Sequence, residues 1–180
     1  MILGLDISTS ITGATLLDEN GSVILCEAWD TRNKNRYEDL FAKADQIRFQ
    51  LWKMGTYHKI EKIYIEQSLQ SFRSGFSSAQ TLSTLSRFNG IVSWLCYKTL
   101  SIKPEYVAAT SARKTCGIKI AKGQKAKEVV LKYLLDNEPS FDIEYTKHGN
   151  PKPGSYDKAD SIIVARAGYI LCQNNKSSTS

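Results

Sequence analysis

Four acidic residues stand where a compact α/β domain brings distant parts of its sequence together. Asp6 and Glu66 each end a short apolar run that is typical of a buried strand, ILGLD in one case and KIYIE in the other. A carboxylate buried there needs a cation, hydrogen bonds or water around it. Asp157 and Asp160 are three residues apart at the start of a helix-periodic segment, so both would lie on one face of a helix.

Carboxylates that converge repel one another unless divalent cations lie between them. Oxygen ligands favour Mg²⁺ or Mn²⁺, and two such ions about 4 Å apart can activate a water and stabilise the leaving oxygen in phosphodiester hydrolysis. The set therefore predicts a metal-dependent nuclease. Simpler interpretations also exist: Asp6 could be an ordinary strand-end acid, Asp157 an N-cap, and Asp160 a first-turn acid favoured by the helix dipole.

The elements that must position these acids alternate along the chain. The predicted strands cover residues 2–7, 12–17, 22–29, 62–66 and 106–109. The predicted helices cover residues 37–54, 77 or 78 to 100, a segment ending near 136, and 157–172. Asn20-Gly21 predicts a hairpin between the second and third strands. This order predicts an α/β fold with a five-stranded mixed sheet flanked by helices.

The chain of 180 residues predicts one domain over 1–172. Its tail, 173–180, has nothing to bury and is predicted to be disordered. No apolar run approaches the roughly 20 residues of a membrane span, and the N-terminus lacks the basic region of a signal peptide. We therefore expect an intracellular protein, in the cytoplasm or nucleoid, in a phage host or in an organelle.

The four cysteines are Cys26, Cys96, Cys116 and Cys172. They are too scattered for a zinc site or a disulfide framework, and we expect free thiols.

Positive charge is concentrated in one stretch of the sequence. The chain as a whole carries +6, from 24 Lys and Arg against 18 Asp and Glu. Residues 98–132 hold nine Lys or Arg against Glu105 and Glu128 alone, a local charge of +7. A basic stretch is often only a solvated surface, but this concentration favours contact with a nucleic-acid backbone.

The acidic and basic motifs together resemble the RuvC-type Holliday-junction resolvases of the RNase H-like fold. The matching segments are GLDIS followed by Thr12-Gly13, YIEQS around Glu66, the stretch VAATSARKTCGIKIAKGQKAKEVV, and DKADSIIVA. The similarity runs from Met1 to about Cys172. It implies Mg²⁺-dependent cutting of four-way DNA by a homodimer whose interface uses the helix that ends near Leu100.

The resemblance also implies roles for individual residues. Asp6, Glu66, Asp157 and Asp160 would hold two metal ions, Lys125 would act near the scissile phosphate, and Arg113 or Lys114 would occupy a second basic position. The predicted DNA contacts are Phe72, Arg73, Phe76, Arg113, Lys114, Lys119, Lys122 and Lys125.

Two features depart from the family pattern. Leu69 stands where the family has an aromatic wedge, so that Phe72 or Phe76 would have to replace it at the junction centre. The loop 138–156 is longer than the family's usual approach to the last helix.

Other functions fit parts of the pattern. A nuclease of the same fold could act on flaps, forks or RNA hybrids, and a junction-binding protein could lack catalysis altogether. GLDISTSITG also resembles the phosphate loop of actin- and sugar-kinase-like ATPases. Those proteins need two such domains, for which this chain is too short.

Overall fold

The computed structural model describes residues 1–67 and 79–177. Within these ranges the strands are β1 (Ile2–Asp6), β2 (Ile11–Leu17), β3 (Val23–Asp30), β4 (Lys62–Glu66) and β5 (Glu105–Val107). The helices are α1 (Leu40–Tyr57), α2 (Ala79–Leu100), α3 (Ala109–Thr115), α4 (Ala126–Asn137) and α5 (Ser155–Ser177).

The five strands form one mixed sheet in the order β3-β2-β1-β4-β5. β1 and β3 both pair antiparallel with β2, whereas β1–β4 and β4–β5 are parallel. Asp6 lies opposite Gly13 on β2. Leu5 lies opposite Ile65 on β4, so Glu66 follows on the strand beside Asp6. The predicted five-stranded mixed sheet is confirmed.

Each face of the sheet has its own core. Successive side chains of β1 point to opposite faces, and Leu3 and Leu5 pack with α1 and α2 through residues such as Ile47 and Phe88. On the other face, Ile2 packs with α3, α4 and α5. The sheet is thus the middle layer of three.

Helix α5 lies against the sheet more closely than ordinary side chains permit. A Cβ atom added to Gly13 would lie 1.9 Å from the carbonyl oxygen of Asp157, and one added to Gly4 would lie 2.5 Å from the backbone nitrogen of Ala165. A 2.7 Å hydrogen bond between the hydroxyls of Thr15 and Ser161 joins the same two layers. Glycine at these positions lets the start of α5 reach the end of β1.

The boundaries of three helices differ from those predicted. α1 begins at Leu40 because the Asp39 carboxylate accepts a hydrogen bond from the backbone N–H of Ala42. The basic connection contains a short helix, α3, that its composition did not indicate. α5 begins at Ser155 and continues to Ser177, since no Gly or Pro interrupts the residues after Cys172. Much of the predicted disordered tail is therefore helical, and residues 178–180 lie outside the described ranges.

The helices and the cysteines were each the subject of a prediction from the sequence. Nowhere in residues 1–67 and 79–177 is a helix both long and apolar enough to span a membrane. Cys96 is buried, the other three cysteines are half-buried, and all four are free thiols, as predicted.

Candidate active site

The four predicted acids are neighbours at one end of the sheet. Asp6 and Glu66 end the adjacent parallel strands β1 and β4. Gly13, the partner of Asp6 in the sheet, contacts the backbone of Asp157 in the first turn of α5. Asp160 follows one turn later and is buried. Three elements thus contribute to one carboxylate cluster. Asp157 lies inside the helix, so its alternative role as an N-cap is wrong.

The electrostatics of the cluster show how close the carboxylates are. Burial, followed by the charges of Glu66 and Asp160, raises the pKa of Asp6 well above its ordinary value. Burial and the charge of Asp160 raise the pKa of Glu66 to about 7. Burial also raises the pKa of both Asp157 and Asp160. The cluster therefore favours proton uptake, or a cation, over four free negative charges.

Lys127 is the cation that faces the cluster. Its ammonium lies 3.6 Å from a carboxylate oxygen of Asp160. The Lys127 side chain is 62% exposed; partial desolvation lowers its pKa, but the charges of all four acids outweigh this and raise the pKa above the ordinary value. Arg113 is nearby as well, since its charge lowers the pKa of both Glu66 and Asp160. Arg113 is therefore the member of the predicted Arg113–Lys114 pair whose charge acts on the cluster.

The donor set fits a divalent cation in its chemistry. Carboxylate oxygens are the preferred ligands of Mg²⁺ and Mn²⁺, and a cation would relieve the repulsion that raises these pKa values. As the side chains are placed, no three His, Cys, Asp or Glu of the described ranges are grouped closely enough to hold a metal ion. The acids are neighbours with a lysine beside them, and they do not form a closed coordination sphere.

The other predicted DNA contacts fall into three groups. Lys125 precedes α4, and its exposed ammonium lies 3.0 Å from Glu128 and pairs with that residue. Arg113, Lys114 and Lys119 line a cavity of about 360 Å³ between α3 and the start of α4, and Lys122 is exposed in the turn that follows Lys119. Phe72, Arg73 and Phe76 lie outside the described residues.

Two site residues were missed by the sequence reasoning. Lys127 had been counted only as part of the basic stretch, although it is on the same helical face as the buried Val130, Leu131 and Leu134. That spacing places Lys127 at the edge of the inner face of α4, from which its ammonium reaches Asp160. Arg32 follows β3, and its charge lowers the pKa of Asp157. No sequence pattern singles out Arg32, because only the pairing of β3 with β2 brings it to this end of the sheet.

Comparison with solved structures places this arrangement in a known fold. Thermus thermophilus RuvC in complex with a Holliday junction substrate superposes with a TM-score of 0.65 and 13% sequence identity, over 96% of this chain and 94% of that one. A second structure of Thermus thermophilus RuvC has a TM-score of 0.64. The chain has the RuvC fold. It is the RNase H-like arrangement that the motifs predicted.

The RuvC fold also occurs in the yeast mitochondrial Holliday junction resolvase Ydc2. Its crystal structure has a TM-score of 0.56 and 16% sequence identity, over 99% of this chain and 83% of that one. No protein-family model and no curated protein sequence matches the chain. The similarity therefore lies in the fold, and the active-site chemistry has to be argued from the cluster itself.

Proposed function

We propose that the protein is a structure-selective endonuclease that resolves four-way DNA junctions by metal-dependent phosphodiester hydrolysis. One observation carries this proposal: Asp6, Glu66, Asp157 and Asp160 come from three elements and form one cluster at the end of a RuvC-fold sheet. The neighbours with this fold are a RuvC bound to a Holliday junction substrate and a mitochondrial Holliday junction resolvase, which supports branched DNA as the substrate.

In the proposed mechanism the four carboxylates would hold two Mg²⁺ or Mn²⁺ ions. When bound, such ions supply Lewis-acid stabilisation of the phosphate and a nucleophilic water at neutral pH. The Lys127 ammonium, beside Asp160, would stabilise negative charge on the attacked phosphate. Arg113 would hold the same strand from the β5 side of the cluster. Attack in line at phosphorus leaves 5′-phosphate and 3′-hydroxyl ends.

Lys125 remains a second candidate for the catalytic lysine. Its own ammonium is exposed and pairs with Glu128, one helical turn away, whereas Lys127 faces the acids. A bound phosphate could attract either side chain. We assign the phosphate-stabilising role to Lys127 because its charge already acts on all four carboxylates, and we keep Lys125 as a backbone contact.

The decisive experiment compares cutting of a synthetic four-way junction by the wild type and by Asp6→Asn, with Mg²⁺ and with EDTA. Loss of a central ligand should reduce the cutting rate by about a thousandfold, which corresponds to roughly 4 kcal/mol of barrier. Asp136→Asn is the matched control, because Asp136 pairs with Lys132 on the surface of α4. Equal cutting by the wild type and Asp6→Asn would disprove the site assignment.

The same assay separates the two lysines and the alternative functions. We expect Lys127→Ala to slow cutting by about a hundredfold, the scale of removing one electrostatic stabiliser, and Lys125→Ala to slow it far less. Equal cutting of junction, flap, RNA hybrid and linear duplex would indicate a broader nuclease. Binding of junctions without cutting by any divalent metal would indicate a non-catalytic junction-binding protein.

We infer that the active form is a homodimer, which would place two clusters on one junction. The outer surface of α1 and α2 supports this interpretation. Phe41 and Trp94 are 76% and 58% exposed there, and with Ile91 and Leu95 they line a groove of about 610 Å³. An exposed apolar patch of this kind is typical of a protein–protein contact.

A DNA substrate would require the protein to work inside a cell. The compartment would be the cytoplasm or nucleoid, the host cell of a phage, or an organelle. In each of these compartments the four cysteines would remain free thiols.

A further inference from the structure

Two basic segments lie beside β3, on the side of the acid cluster away from Arg113. One is the turn 31–36, with the sequence TRNKNR, and the other is the hairpin 143–152, with the sequence IEYTKHGNPK. The turn contains three Lys or Arg, and the hairpin contains Lys147 and Lys152. Residues 31–36 contain no Asp or Glu, whereas the hairpin contains Glu144, which pairs with Lys152.

Hydrogen bonds hold the turn 31–36 in place. The backbone N–H of Thr31 donates to the carbonyl of Ser10 at 2.8 Å, in the loop that follows Asp6. The Thr31 hydroxyl donates to the same loop. The Asn33 side chain accepts from the N–H of Asn35 at 3.0 Å. The turn therefore has a defined position relative to the end of β1, with Lys34 exposed.

The hairpin 143–152 is built in a similar way. The N–H of Lys152 donates to the carbonyl of Glu144 at 2.8 Å, and the N–H of Thr146 donates to that of Asn150 at 2.8 Å. Tyr145 is 52% exposed next to the tip, where Lys147 also faces solvent. An exposed aromatic two residues from an exposed lysine is a composition suited to contact with a nucleic acid.

Both segments lie near the start of α5. Gly154 lies two residues after the hairpin and has a φ of +94°, and a Cβ atom there would lie 2.8 Å from that of Ala28 on β3. Asp157 is only three residues further along. Arg32, held by Asp30 at 2.6 Å, acts on Asp157 through its charge. The hairpin and the turn therefore border the cluster on its β3 side.

We propose that the turn 31–36 and the hairpin 143–152 form a second DNA-binding flank, called here the β3 flank, that grips the phosphate backbone on the side opposite Arg113. This inference rests on the proposed nuclease function. Four carboxylates repel a DNA strand that crosses them, so cations are needed on both sides of the cluster to hold it. The Arg113 side supplies one group of cations, and the β3 flank supplies the other.

The test measures binding of a labelled four-way junction in EDTA across a series of KCl concentrations. The variant Lys34→Ala/Lys147→Ala removes one exposed lysine from each segment. If both contact phosphates, the slope of log K against log [salt] should decrease in magnitude by about 1.8, or about 0.9 per phosphate. Lys34→Arg/Lys147→Arg should restore it.

The matched control is Lys53→Ala/Lys59→Ala. Lys59 lies at the opposite end of β1 from Asp6, since its carbonyl accepts from the amino group of Met1, and both residues are exposed. This control should keep the wild-type slope. An unchanged slope in Lys34→Ala/Lys147→Ala, with wild-type cutting intact, would overturn the β3 flank alone. A wild type that neither binds nor cuts junctions would overturn the nuclease function as well.

Discussion

The two faces of the sheet are packed in different ways. On the α5 face, Gly13 and Gly4 allow backbone to approach backbone, and an added Cβ would overlap with α5 at 1.9 and 2.5 Å. On the α1–α2 face, the contact with the sheet is made by full-sized side chains such as Ile47 and Phe88. The outer surface of these two helices keeps large aromatics exposed, including Phe41 and Trp94.

The two faces therefore have different roles. The α5 face positions the acids, and the outer α1–α2 surface is suited to association with a second copy of the chain. The α5 face holds Asp157 and Asp160 against the strand that carries Asp6, so a shift of a few tenths of an ångström there moves the acid cluster. On the α1–α2 face Asn89 donates a hydrogen bond to the carbonyl of Glu66, but the outer surface of these two helices carries exposed apolar side chains such as Phe41 and Trp94. We therefore expect substitutions on the α5 face to damage folding and catalysis together, and substitutions on the outer α1–α2 surface to change assembly alone.

The largest expected effect on folding is that of Gly13→Ala. The new methyl group would meet the backbone of Asp157, which cannot rotate away as a side chain could. We expect a loss of about 4 kcal/mol in the free energy of unfolding, above the usual range for overpacking because the obstacle is main chain. Urea unfolding measures the loss, and junction cutting should fall with it.

Gly90→Ala is the control for this change. Gly90 is in α2, and a Cβ there would meet nothing within 4 Å. The same substitution should be neutral or should stabilise the helix by up to about 1 kcal/mol. Equal destabilisation by the two variants would contradict the difference between the faces.

The acids could be predicted from the sequence because their signals are local. Asp6 and Glu66 each end an apolar strand, where a buried carboxylate needs a partner, and Asp157 and Asp160 have helical spacing. Gly13 was noticed only as part of a motif, since its contact with Asp157 spans 144 residues of sequence. The resemblance to the RuvC-type family assigns the catalytic lysine to Lys125, whereas the helical spacing of Lys127 with Val130, Leu131 and Leu134 is seen only once α4 is placed at Ala126–Asn137.

The second prediction concerns pH and the cluster that the α5 face positions. The folded protein holds the proton of Glu66 up to a pKa of about 7, whereas the reference value is 4.5. As the pH rises from about 4.5, the unfolded chain releases this proton first and is favoured. The free energy of unfolding should therefore fall between pH 4.5 and 7, by about 3 kcal/mol at 1.36 kcal/mol per unit. Urea unfolding in EDTA at several pH values measures it.

Two comparisons sharpen this prediction. Glu66→Gln removes one of the four carboxyl groups whose pKa is raised and should make the pH dependence shallower over the same range. Added Mg²⁺ should raise the midpoint of unfolding more at pH 8 than at pH 5, because a cation competes with protons for the same carboxylates. A Glu66→Gln variant with the wild-type pH dependence would show that this carboxyl is not the one responsible.

The smallest expected effect on folding is that of Trp94→Ser, on the outer α1–α2 surface. Trp94 is 58% exposed and lines the groove with Phe41, so the free energy of unfolding of the isolated chain should change by no more than about 0.5 kcal/mol. The mass in solution, measured by light scattering, should fall from dimer to monomer. Leu135→Ser removes an exposed apolar side chain from α4, on the other side of the sheet, and should leave the mass unchanged. A Trp94→Ser variant that remains dimeric would show that the two copies associate through a different surface. The assignment of dimer contact to the outer α1–α2 surface would then be wrong.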